Sequence, residues 1–156
     1  MDKETKYINR FGLNPDETVL IRKFNCMYHG KGIPVPGTLF IFNDHVCFSS
    51  KFNQMTFLGK TKIMIPIKDL ILCEFHPKSF GTGISLTVLS DKIKHGPNFQ
   101  FNNLGEEGKN ANYLIGEMMD GLRAKDNQRK NLDDEMLIEI EKEMERKAIA
   151  NSMIEI

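Results

Sequence analysis

Four histidines, three cysteines and one glycine-rich stretch are the residues of this chain best able to do chemistry. His29, His45, His76 and His95 are scattered, with no Cys-x-x-Cys or His-x-x-x-His spacing, so the tetrahedral donor set that zinc needs is missing and no metal is expected. His45 and Cys47 share one strand face, which reads as a hairpin histidine beside a buried thiol rather than as two ligands. The stretch Gly32-Ile33-Pro34-Val35-Pro36-Gly37-Thr38 has the glycine spacing of a phosphate-binding loop. Thr38, however, stands where lysine is required, and a strand rather than a helix should follow it. No Ser, Cys or Thr has a recognisable base or oxyanion partner. No catalytic residue, no cofactor and no enzymatic activity are therefore expected. Cys26, Cys47 and Cys73 are odd in number and lie among apolar neighbours, as buried thiols of a reducing compartment do.

What remains is electrostatic chemistry. Lys plus Arg and Asp plus Glu each total 21, yet the charge is unevenly placed. From Thr18 to Leu104 ten basic residues face four acidic ones, a balance of +6. From Asp126 to Ile156 nine acidic residues face five basic ones, a balance of −4. The two parts should have different jobs. The basic part suits an anionic partner, but its lysines are not interleaved with stacking aromatics and no basic recognition helix is present, so nucleic acid is not expected.

These cations must be held by some scaffold. Between residues 17 and 103 short β-branched and aromatic runs alternate with turn residues, the rhythm of an all-β domain. Seven strands are predicted at 18–28, 38–42, 45–49, 61–65, 70–75, 84–89 and 99–102, with a hairpin turn at Asn43-Asp44 and a Gly/Pro-rich loop at 29–37. After Gly108 the period changes to 3.6: Ala111, Leu114, Ile115, Met118, Met119 and Leu122 fall on one helical face that must cover something apolar. A second helical segment is expected from Asn131. Its stripe is Met136, Ile140, Met144 and Ala148, without a sustained heptad.

Motifs along the strands resemble the GRAM domain family. They are Phe11-x-Leu13-x-Pro15-x-Glu17, Leu20-Ile21, Phe24-x-Cys26, Gly37-x-Leu39-x-Ile41, Cys47-Phe48-Ser49, Phe57-x-Gly59-Lys60-Thr61-Lys62, Ile65-Pro66-Ile67-x-Asp69-Leu70 and Phe99-x-Phe101. The resemblance implies a mainly β fold with α: a pleckstrin-homology-like, seven-stranded bent β-barrel or sandwich capped by one C-terminal helix, here with an additional terminal helix. The expected organisation is an N-terminal extension (1–10), the domain itself (11–124) and an acidic helical C-terminal extension (125–156). The family implies a non-enzymatic, membrane-associated adaptor that binds phosphoinositide or other anionic phospholipid headgroups.

In such a fold the loops after strands one, three and six gather at the open barrel end. His29, Lys31, Lys51, Lys60, Lys92 and Lys94 are then the expected headgroup-binding rim, with Arg22 and Lys23 as an extension of it and the glycine-rich loop offering backbone amides. Each basic residue near an anionic leaflet contributes on the order of 1 kcal/mol, so five lysines alone correspond to binding near the millimolar range. A second contribution is needed. Insertion of Phe52, Met55 and Leu58 at about 1.5 to 3 kcal/mol per side chain would supply it, with Phe57 fitting a structural position better.

The competing reading is a protein-interaction module. Its partner, or a homodimer twin, would dock on the terminal helix at Met136, Ile140 and Met144, or on a sheet edge. A third reading lays the acidic tail over the basic domain as an autoinhibitor. The start of the chain lacks the apolar core of a signal peptide and no apolar run reaches the 18 residues of a membrane span. A cytoplasmic protein, peripheral on intracellular membranes, is expected.

Overall fold

The computed structural model describes residues 2–30, 32–51, 61–89 and 93–154, with side chains through residue 150. A short helix α1 (Lys3–Arg10) precedes seven strands: β1 (Leu20–His29), β2 (Val35–Phe42), β3 (His45–Ser50), β4 (Lys62–Pro66), β5 (Leu70–His76), β6 (Gly83–Val88) and β7 (Asn98–Asn102). A long helix α2 (Gly108–Ile154) follows. The strands form one antiparallel sheet in the order β4-β3-β2-β1-β7-β6-β5. This is the mainly β, pleckstrin-homology-like architecture expected, and each strand lies where the residue pattern puts it to within a few positions. The largest difference is β2, which begins at Val35 because Pro36 and Gly37 pair with Met27 and Cys26 rather than staying in the loop.

Gly37 is required there: a Cβ on it would collide with the Ser49 carbonyl oxygen and the Phe48 ring of the neighbouring strand. The Pro36 carbonyl accepts the Lys51 amide at 2.9 Å, so Pro36 still gives the sheet its acceptor although it has no N–H to donate in return. Asn43 clips the hairpin turn to the start of β1, its amide donating to the Glu17 carbonyl and its Oδ1 accepting from the Val19 N–H.

β2 is buried on both faces, which explains its continuous apolar run. Leu39 and Ile41 are core residues, while Phe40 and Phe42 form a second cluster with Ile8 from α1, Phe11 just after it and Cys47 from β3. The Phe11 ring meets Phe40 and Phe42 edge-on at 5.4 and 6.0 Å. The residues before Phe11 thus include a helix capped by the Asp2 side chain, which accepts from the Thr5 N–H at 2.7 Å.

Residues 1–119 and 120–156 are two compact units. In the first, the expected apolar face of α2 is in place: Ala111, Ile115 and Met119 are buried and Leu114 and Met118 half-buried. In the second, the segment expected as an additional helix continues α2 without a break, because Asn131 is a weak helix former but no Gly or Pro lies between Leu122 and Ile154. From Arg123 to Ala150 every residue is exposed.

Candidate functional site

An open pocket of about 910 Å³ lies where β1 passes into β2 and where β7 begins. Its walls come from the end of β1, the loop that follows, Thr61 before β4, Ser85 on β6, and residues 95–100. The pairing of β1 with β7 sets His29 beside Gln100, and that of β6 with β7 sets Gln100 beside Ser85, so three polar side chains from three strands line up across the sheet. Tyr28, Val35 and Phe99 provide the apolar lining. Tyr28 is buried and packs against Phe48 and Phe101, with ring centroids 5.8 and 5.6 Å away.

The polar groups are held by neighbours. The His29 ring stacks on Phe80 at 5.6 Å. Phe80 has a φ of 30°, a strained left-handed conformation for a bulky residue, and remains 77% exposed. Ser85 Oγ lies 2.8 Å from His76 Nε2. Gln100 Nε2 donates to Asn102 Oδ1 at 2.6 Å, and Ser79 Oγ donates to the same oxygen at 3.2 Å. His95, at a φ of 74°, presents its ring edge to Tyr28 at 6.1 Å. Partial desolvation of its ring, and then the Lys94 charge, lower the pKa of the otherwise exposed His95 from its ordinary 6.5. Gly30 lets the loop backbone lie against Tyr28: a Cβ there would come within 2.9 Å of the tyrosine ring and hydroxyl. Hydroxyl, amide and imidazole groups line the pocket, and the described lining residues include no Asp or Glu.

Of the expected rim, His29 is in the pocket wall. Lys94 is exposed in the turn next to His95, closed by the Gly96 N–H to the Ile93 carbonyl at 2.9 Å, and Lys51 is exposed at the end of β3. Lys31, Lys60 and Lys92 lie outside the described residues, as do Phe52, Met55, Phe57 and Leu58. Arg22 and Lys23 are engaged with other groups. Arg22 pairs with Glu107 at 2.8 Å and lies over the Phe24 ring, while Lys23 Nζ reaches the Tyr7 hydroxyl at 3.2 Å and lowers that phenol's pKa. Thr61, Ser85, Asn98 and Gln100 were not singled out from the sequence. The alternation of polar with apolar residues in 83–88 and 98–102 marks Ser85, Asn98 and Gln100 as lying on one side of their strands, but only strand pairing brings them together.

The cysteines are free thiols. Burial pushes Cys26 and Cys73 up to about 12 and raises Cys47 further, and Cys73 Sγ donates to Asn112 Oδ1 at 2.9 Å. The stretch 32–38 with phosphate-loop spacing runs into β2 rather than a helix. Among the described residues no three His, Cys, Asp or Glu side chains come together as a metal site, and no helix is long and apolar enough to cross a membrane. The helix residues Met136, Ile140 and Met144 are 63, 50 and 66% exposed on α2.

Comparison with known proteins agrees with this architecture. The model of the GRAM domain family matches residues 5–113. A UDP-sugar-dependent glycosyltransferase 52 of Dictyostelium discoideum is 37% identical over 86 residues, a match that spans 54% of this chain and 5% of that protein's length. Among solved structures, the Vps36 N-terminal PH domain superposes with a TM-score of 0.56 at 8% identity, over 72% of this chain and 86% of that one. The C-terminal domain of an unknown protein from Leishmania infantum gives 0.55 at 17% identity, over 76% and 98%. At these identities the structural likeness speaks for the fold alone. With the family's model covering most of the chain and a pleckstrin-homology-like sheet in place, the chain belongs to the GRAM domain family.

Proposed function

We propose that this GRAM module, of a non-catalytic kind that often binds membrane lipids, takes the phosphate-bearing headgroup of an anionic phospholipid, a phosphoinositide in the first instance, at the open end of its barrel. The observation that carries the reading is the pocket between the β1–β2 and β6–β7 connections, where the described lining offers Ser, Thr, Asn, Gln, Tyr and His groups and no carboxylate to repel an anion. Tyr28 is buried and Thr61, Ser85, Gln100 and His29 are half-buried, while Asn98 and His95 are exposed; such neutral donors cost less to desolvate than charges and orient phosphate oxygens. Lys31, Lys51, Lys60, Lys92 and Lys94 supply the charge around them, and Phe52, Met55 and Leu58 the apolar insertion that charge alone does not provide. The protein then works as a peripheral adaptor on the cytoplasmic face of intracellular membranes. Its likeness to a small part of a glycosyltransferase fits a module that accompanies other activities rather than one that performs sugar transfer itself.

Cosedimentation with liposomes of single phosphoinositides, phosphatidylserine or neutral lipid tests this reading. Wild-type protein should pellet with at least one anionic lipid, and the combined Lys31→Glu, Lys51→Glu, Lys92→Glu, Lys94→Glu variant should stay in the supernatant with its helix and sheet content unchanged. Absence of wild-type binding to every lipid would shift the function to a protein-interaction module.

A further inference from the structure

The unit formed by residues 120–156 separates its charges along the helix. Residues 123–130 hold Arg123, Lys125, Arg129 and Lys130 against Asp126, whereas residues 132–145 hold seven carboxylates against Lys142. Leu132, Met136, Ile140 and Met144 recur every fourth residue along the acidic part and are 59, 63, 50 and 66% exposed. A shallow groove of about 500 Å³ is lined by Leu132, Met136 and Ile140 of this stripe, with Ile138, Glu135 and Glu139 beside them. Glu135, Glu139 and Glu143 stand in one i, i+4 row, where like charges repel within a single helix. Opposite charges laid across the row, and apolar side chains laid across the stripe, would relieve both exposures at once.

We propose that the occupant of this face is the same helical segment of a second copy of the chain, running antiparallel, in the register that sets Leu132 beside Met136 of the second copy. That register also brings Arg129 opposite Glu139, Lys125 opposite Glu143 and Asp126 opposite Lys142, and two-fold symmetry makes each pair occur twice. Two like-charge pairs remain, Asp133 with Glu135 and, on the two-fold axis, Asp134 with its own twin. The alternatives are poorer. Placing Met136 against its own twin sets Lys130 against Lys142 and Lys125 against Lys147, and a further slip that sets Leu132 against Met144 brings Asp133 against Glu143 and Arg129 against Lys147. A slip the other way makes other opposite-charge pairs, Arg129 with Glu135 and Lys125 with Glu139, but sets two stripe residues against polar ones, Met136 against Gln128 and Met144 against Asp120, where the proposed register sets only Ile140 against Gln128 and places Met144 against Ala124. A parallel pair in register sets every carboxylate against its twin. Charge thus selects the direction, and charge with apolar matching selects the register.

The test is sedimentation of the full chain in buffer without lipid, up to about 100 µM protein. The wild type should form a dimer. Arg129→Glu and Glu139→Arg should each weaken it at least tenfold, and the two reversals combined in one chain should restore it, with helix content by circular dichroism equal in all four proteins. In a mixture of Leu132→Cys and Met136→Cys variants, oxidation should link one to the other in preference to either with itself. A wild type that remains monomeric overturns the proposal. So does a dimer indifferent to the single reversals, or one that the combined reversal fails to restore. Because no lipid is present, failure here leaves the barrel-end reading standing, and loss of lipid binding leaves this one standing.

Discussion

His95 ties the chemistry of the pocket to pH. Partial desolvation, followed by the Lys94 charge, holds its imidazole below the ordinary 6.5, so the folded protein binds this proton less tightly than the unfolded chain. Stability from this group is therefore complete above about 6.5 and is withdrawn as pH falls through the window beneath it, where the unfolded state takes up the proton first. A phosphate oxygen against the ring opposes that trend by favouring imidazolium. Affinity for phosphoinositide vesicles should accordingly rise severalfold from pH 7.5 to 5.5, and His95→Gln should flatten the part of that rise owed to the protein. Identical profiles for the two proteins in vesicle titrations would take His95 out of the site. Individual residues were legible in the sequence where a local rule applied. Buried thiols at 26 and 47 follow from their apolar neighbours, and His29 follows from its place at the loop edge, whereas Cys73, expected buried on the same rule, is only half-buried because Ile71 and Leu72 beside it are exposed on β5. Ser85 and Gln100 were not legible, since their convergence depends on the β6–β7 and β1–β7 registers and no local pattern states which strand pairs with which.

At the scale of elements, the seven strands could be read from alternation and turn residues, because half-buried antiparallel strands carry that signature. The unbroken apolar run of β2 was read as a strand, but its cause lay in an element the pattern did not reveal. Eight residues of α1 include one buried position, Ile8, too few to show a 3.6 period, yet the helix and Phe11 cover Phe40, Phe42 and Cys47. Phe11 is 3% exposed, with Lys62 Nζ 5.6 Å from its ring centre. Phe11→Ala should therefore destabilise the protein by about 3 to 5 kcal/mol, the cost of emptying a packed aromatic site, as read from urea unfolding. A loss under about 1 kcal/mol would mean that α1 merely rests on the sheet, as a surface substitution does. The continuity of α2 was equally hidden. A polar, exposed stretch around Asn131 looks like a boundary until the absence of a breaker is weighed against it.

For the whole molecule, a zero net charge conceals a basic strand region and an acidic helical end, and the account assigns them separate work. The sheet order places the β1–β2 and β6–β7 connections around one pocket. Overall fold was the most legible level because many weak local signals agree on it, whereas ligand choice rests on a few side chains whose placement is a tertiary property. The most direct measurement is a titration of isotope-labelled protein with a soluble inositol polyphosphate headgroup, followed amide by amide in NMR spectra, with inorganic phosphate as the control. The account predicts saturable shifts concentrated at Gly30, Gly32, His95, Gly96 and Gln100, with the polyphosphate acting at lower concentration than phosphate. Shifts centred elsewhere in the chain, or none at concentrations on the order of 1 mM where even weak charge pairing would register, would contradict it.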